Sequence, residues 1–174
     1  MIIMKIIGCI MVIASSAGIG LYFSGEIRCR IEDLKELKKL IGLLKGEIRY
    51  AATPLPEAIG VIAHRHTGNF SGFLNYISTK LPEMSGQTFF EIWKTAVEQE
   101  LVSTSLTRKD KLQLIHFSEN LGYLDKDMQM NTIDLYLTQL NDEMNELSNT
   151  AREKSYLYNS LGIMAGIFIT IIII

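Results

Sequence analysis

The chain has 174 residues, of which 48% are hydrophobic, and a formal net charge of −2. That hydrophobic share excludes a disordered chain, and two cysteines, Cys9 and Cys29, exclude a disulfide scaffold. The lack of a basic excess leaves no electrostatic footprint for nucleic acid.

Charge is unevenly placed along the chain. Residues 6–25 and 155–174 carry none, whereas all 19 Asp and Glu and 16 of the 17 Lys and Arg fall within 26–154. A helix rises ~1.5 Å per residue, so about 20 apolar residues cross a hydrocarbon core of ~30 Å. The expected organisation is a transmembrane helix over 1–25, a helical domain over 26–154, and a second transmembrane helix over 155–174. Between Leu161 and Ile174 there are nine Leu, Ile or Phe residues, each favouring insertion by roughly 0.3–0.6 kcal/mol. A cleaved signal peptide ending near Ala14-Ser15-Ser16-Ala17 is the rival reading of the first stretch. The apolar run continues past it through Ile19, Leu21, Tyr22 and Phe23, which favours a span.

Orientation follows from the basic flanks. Only Lys5 precedes the first stretch, while Arg28, Arg30, Lys35, Lys38, Lys39 and Lys45 follow it, and Arg152 and Lys154 precede the second. The positive-inside rule then puts the middle domain in the cytoplasm of a two-pass protein.

The middle reads as all-α, with about six helices forming a bundle between the terminal spans. The first helix runs on to about Tyr50. Ile27, Ile31, Leu34, Leu37, Ile41, Leu44 and Ile48 form its apolar stripe, and Glu32/Glu36 with Lys35/Lys39 its polar side. Gly42 and Gly46 are unexpected there, since each costs ~1 kcal/mol against Ala in a helix interior. Their spacing would let another helix approach.

Thr53-Pro54-Leu55-Pro56-Glu57-Ala58 starts the second helix, with Thr53 as expected N-cap and Pro54 at the first helical position. It extends to about His66. Phe70 to Leu81 is the third helix, stopped by Pro82. Phe89, Ile92, Trp93, Ala96 and Val97 mark the fourth. Thr107-Arg108-Lys109-Asp110 resembles a capping box and opens the fifth. Asp125 is the expected N-cap of the last helix. Ile133, Leu137, Leu140, Met144, Leu147 and Ala151 give that helix a seam of coiled-coil type, expected to pack antiparallel on the first stripe.

No catalytic constellation is visible. His64 and His66 are two apart and point to different sides of a helix, so surface roles are expected for both. His116 lies among apolar residues, which suggests a core or boundary site. Asp125-x-Asp127-x-Gln129-x-Asn131 begins like a calcium loop, but Met130 and Tyr136 stand where that loop needs glycine and glutamate. No phosphate loop or nucleophile elbow occurs, so neither cofactor nor metal is expected. Gly162 and Gly166 in the last span, like Ala14 and Gly18 in the first, have the small-xxx-small spacing that permits helix packing in lipid.

Several motifs together resemble the stage III sporulation protein AB family. They are Glu47-Ile48-x-Tyr50, the Thr53–Ala58 run, Phe117-x-x-x-Leu121-Gly122-x-x-Asp125-x-x-x-Gln129, and Leu161-Gly162-x-x-x-Gly166. The likeness covers nearly the whole chain. It implies a mother-cell membrane protein facing the forespore, part of the channel complex of endospore formation. It also implies a domain similar to the helical cytoplasmic domains of type II secretion and type IV pilus platform proteins.

By the same implication the partners would be a secretion-type ATPase and other membrane subunits of the channel, with membrane lipid around the spans and a homo-oligomer possible. This protein would couple the ATPase to channel assembly and hydrolyse nothing itself. Thr53, Pro54, Leu55, Pro56, Glu57, Leu121, Gly122, Asp125 and Gln129 are the family-motif residues and the candidate partner interface, at the membrane-distal end of the bundle. Purely structural capping is the alternative for those residues. The alternative for the whole chain is an extracytoplasmic sensor or ligand-binding module held between two spans, which requires the opposite topology.

Overall fold

Helical periodicity and local caps build the whole fold. The computed structural model describes residues 2–83, 86–119, 121–122 and 125–173, with side chains over 25–151 and at 153 within those segments. Among the described residues there are six α-helices and no strand. They are α1 (Ile2–Tyr50), α2 (Leu55–Arg65), α3 (Ser71–Lys80), α4 (Phe89–Glu100), α5 (Arg108–Ser118) and α6 (Lys126–Ile173).

Residues 32–144 form one unit, and 1–31 with 145–174 form another. In the second unit the backbone of 2–31 and of 145–173 is helical. The two expected spans lie outside the residues whose side chains are described. Among the described residues, no helix is long and apolar enough to cross a membrane.

The first unit is a bundle built on the α1 stripe. Leu34, Leu37, Leu40, Ile41, Leu44 and Ile48 are all buried, at the 3/4 spacing that sets one helix face against a core. From α6, Ile133, Tyr136, Leu140 and Met144 are buried. The expected seam holds at Ile133, Leu140 and Met144, whereas Tyr136 takes the inner position expected of Leu137, which is half-buried, and Leu147 and Ala151, in the other unit, are half-buried as well. Positions three and four residues on are both compatible with a helix face. Ring stacking on Phe117, at 4.6 Å between centroids, favours the aromatic residue.

Polar rungs tie the α1 and α6 portions of this unit together. Lys38 Nζ donates to Asn141 Oδ1 at 2.8 Å, Lys45 pairs with Asp134, and Lys126 Nζ donates to the Arg49 carbonyl at 3.2 Å. One residue number rises as the other falls, so the two helices run antiparallel.

The four short helices cover the stripe with an aromatic chain. Phe70 meets Phe73 at 6.5 Å, Phe73 meets Trp93 at 5.0 Å, and Trp93 meets Phe117 at 5.9 Å. Edge-on and tilted ring contacts of this kind add to the area they bury. Trp93 Nε1 donates to the Leu114 carbonyl at 2.9 Å, so the indole is buried without an orphaned donor.

Asp33 ties two loops to α1. Its buried carboxylate accepts from Asn69 Nδ2 at 2.8 Å and from the Ser105 backbone N–H at 2.6 Å. Glu36, one turn on, accepts from His66 Nε2 at 2.7 Å. His66 is therefore half-buried and paired, not a free surface histidine. Glu36 reaches this histidine across the bundle and not a lysine of its own helix. His116 departs from expectation the other way. Its side chain is 68% exposed and bonds Glu119 at 2.7 Å, because it projects from the outer side of α5.

Candidate functional site

The two motif turns meet at the end of the bundle where α1 stops and α6 starts. Helix α1 closes through Ala52, whose φ of 51° is left-handed. The Thr53 N–H returns to the Glu47 carbonyl at 3.2 Å. A left-handed residue after a helix end is commonly glycine, and alanine there costs roughly 1–2 kcal/mol.

Thr53 is not the N-cap of α2. Pro54 occupies that position with φ −57° and ψ 146°, and its carbonyl accepts from the Ala58 N–H at 2.9 Å. A residue before proline is held extended, which keeps Thr53 out of the helix. Pro56 then falls in the first turn, where its missing N–H would be unpartnered in any case.

On the opposite side of this corner, Asp125 caps α6. Its Oδ1 accepts from the Met128 N–H at 2.9 Å, and its carbonyl accepts from the Gln129 N–H at 2.9 Å. The aspartate that begins the calcium-like run thus serves as a helix cap. Gln129 Nε2 donates to the Leu121 carbonyl at 2.9 Å, pinning the α5–α6 link to the first turn of α6. Gly122 is needed for close packing, since a Cβ there would lie 2.9 Å from Phe89 Cβ.

Between these turns lies an open cavity of about 410 Å³. Thr53, Pro54, Leu55 and Pro56 line one side, and Gly122, Lys126 and Gln129 the other. Ile48, Ala52, Leu81 and Phe89 complete the wall. Glu57 is exposed next to Pro56 in the first turn of α2, Leu121 is buried, and Asp125 is exposed; none of these three lines the cavity. Gly162 and Gly166 lie outside the residues whose side chains are described.

The wall is largely apolar, with Thr53 as the polar residue on one side and Lys126 and Gln129 on the other. Of the lining residues only Lys126 is ionisable, and its ammonium already donates to the Arg49 carbonyl. Among the described residues, no acid–base pair or nucleophile–base pair lines this space. Among the described residues, no group of three or more His, Cys, Asp or Glu could hold a metal ion. Such a cavity suits an apolar side chain offered by a partner, with hydrogen-bonding groups to orient it.

Sequence reasoning missed Ile48, Ala52, Leu81, Phe89 and Lys126 as parts of this wall. Lys126 had a local signal, being the residue after a helix cap. The rest come together only through tertiary packing of α1, α3 and α4.

Comparison with known proteins places the chain in a family. The profile of the family described as stage III sporulation protein AB matches residues 5–174. The chain is 25% identical over 174 residues to stage III sporulation protein AB of Bacillus subtilis (strain 168), covering 98% of this chain and 99% of that protein. A solved structure of a stage III sporulation protein AB is similar at a TM-score of 0.64 and 25% identity, over 71% of this chain and 97% of that one. The chain therefore belongs to the stage III sporulation protein AB family, and its role lies in sporulation.

Proposed function

We propose that this protein is a non-enzymatic membrane platform subunit of the channel complex between mother cell and forespore. In this reading 6–25 and 155–174 span the mother-cell membrane, and the bundle stands in the cytoplasm. The cavity at the α1–α2 and α5–α6 corner receives a secretion-type ATPase, whose cycle the platform couples to channel assembly. The observation that carries the reading is that two motif runs far apart in sequence line one largely apolar cavity. The uncharged termini and the basic flanks facing the middle domain support the membrane geometry.

Deletion of the gene is expected to stop sporulation after engulfment, and normal spore yield without it refutes the role. Co-purification of the ATPase with the detergent-extracted full chain is expected to be lost in Glu57→Lys and in Pro56→Arg. Pro56 on the cavity wall and Glu57 next to it are both exposed, so the fold should survive. Retention of the ATPase by both variants places docking elsewhere. Cysteines engineered near 85 should react with an impermeant thiol reagent only after permeabilisation. Labelling in intact cells would favour the sensor topology.

A further inference from the structure

The turn between α2 and α3 is fastened to α1 through two acidic side chains. Asp33 accepts from Asn69 and from the Ser105 N–H, and neither donor titrates. Glu36 holds His66, with Oε1 2.7 Å from Nε2, and the same oxygen accepts from the Phe70 N–H at 3.5 Å. Little of this pair meets water: 13% of the His66 side chain and 24% of the Glu36 side chain are exposed. Gly68 closes over it. A Cβ on Gly68 would fall on the Glu36 carboxylate and lie 2.9 Å from His66 Nε2, so glycine lets the backbone rest directly on the pair. Phe70 follows at once, fully buried, and opens the aromatic chain through Phe73.

Histidine is the side chain whose charge ordinarily changes between about pH 5 and about pH 8. The chain has three of them. His64 is exposed on α2, and His116 pairs with Glu119 three residues on, in water. His66 is the one that joins two elements. A neutral ring donates an ordinary hydrogen bond to the carboxylate. A protonated ring makes a charge-assisted bond, roughly twice as strong. Enclosure strengthens that attraction further. The more distant charges oppose one another. Glu32 and Lys39 stand about one turn either side of Glu36 on α1, Arg65 is exposed on α2, and the Glu100 carboxylate of α4 lies against Gly72. Buried Asp33 adds to the field that favours a charged ring.

We propose that the His66–Glu36 pair is a proton-operated catch on the α2–α3 turn, fastened when His66 is protonated and slackened when it is neutral. Closing the turn brings the ring against Glu36, and opening it returns both to water. Protonation therefore favours the closed turn. The contribution is complete on the acid side and is lost as pH rises. Asp33 keeps its hold on Asn69 throughout, so the slackening is confined to residues 66–71. This turn lies at the end of α2 and α3 away from the cavity, which Leu55 at the start of α2 and Leu81 just after α3 help to line. The catch is independent of what docks there.

The test is amide hydrogen exchange, read by mass spectrometry, on the detergent-extracted full chain at about pH 6 and about pH 8, corrected for the intrinsic effect of pH on exchange. Protection of residues 66–71 is expected to fall ~fivefold from the lower to the higher pH, the step from a charge-assisted to an ordinary hydrogen bond. Glu36→Gln keeps an acceptor without charge, and His66→Gln keeps a donor that does not titrate. Each should remove the dependence, whereas His116→Gln should leave it intact. Equal protection of the wild-type turn at the two pH values overturns the proposal, and that reading needs no variant. So does a dependence that survives in Glu36→Gln or in His66→Gln, or one that His116→Gln abolishes.

Discussion

Tyr136 sets an alkaline limit on the domain. Its hydroxyl is buried with no hydrogen-bond partner. Burial first, and the nearby Asp110 carboxylate second, push its pKa well above the ordinary 10.0 of a phenol. The unfolded chain therefore ionises this tyrosine before the folded chain can. Its stability contribution is fully present below the ordinary phenol pKa and declines above it, by about 1.4 kcal/mol per pH unit. Tyr136→Phe should flatten that alkaline limb and raise stability at neutral pH by about 1 kcal/mol, because it removes an orphaned hydroxyl. Urea midpoints between pH 7 and about 11 check both effects.

Asp33 has the opposite balance, with every bond made. Asp33→Ala strands the Ser105 N–H and the Asn69 amide, so a loss of ~3 kcal/mol is expected in the same assay. The caps at Asp125 and Thr107 were legible because their partners lie three residues away. Asp33 was not, because its partners lie 36 and 72 residues on.

At the scale of elements, each short helix is fixed by its ends. Helix α4 opens on a complete capping box, with the Thr88 side chain accepting from the Glu91 N–H and the Glu91 carboxylate accepting from the Thr88 N–H. The Thr-x-x-Glu signal was present in the sequence, but the aromatic run after it drew the reading. Thr88→Ala should cost about 1 kcal/mol, read as a lower thermal midpoint. The start of α2 differed from expectation for a similar reason. Two prolines two residues apart both suit a first turn, and only the backbone shows that Pro56 lies inside it while Pro54 caps it. The extent of α3, α5 and α6 was readable because proline, Thr107 and Asp125 punctuate them locally. The cavity was not readable, because its wall is assembled from five different segments.

For the whole molecule, the six helices followed from stripe spacing together with proline and cap punctuation, and so did the antiparallel course of α1 and α6 within residues 32–144. Which side chains face outward on those helices did not, since it depends on where the short helices settle. The two proposed spans have a direct test. After alkaline carbonate washing, the full chain should remain with the membrane pellet. Phe168→Arg, which places a charge mid-span at ~3 kcal/mol, should shift it toward the supernatant or toward degradation.

The pairing of α1 with α6 also bears on how the protein is made. These helices are neighbours in the bundle, yet residues 51–125 are synthesised between them. The leucines of α1 are synthesised long before Tyr136, Leu140 and Met144 exist to shield them. The nascent chain must therefore hold an uncovered greasy flank through most of its synthesis. A message cut short before α6 would release a product that proteases and chaperones recognise at once.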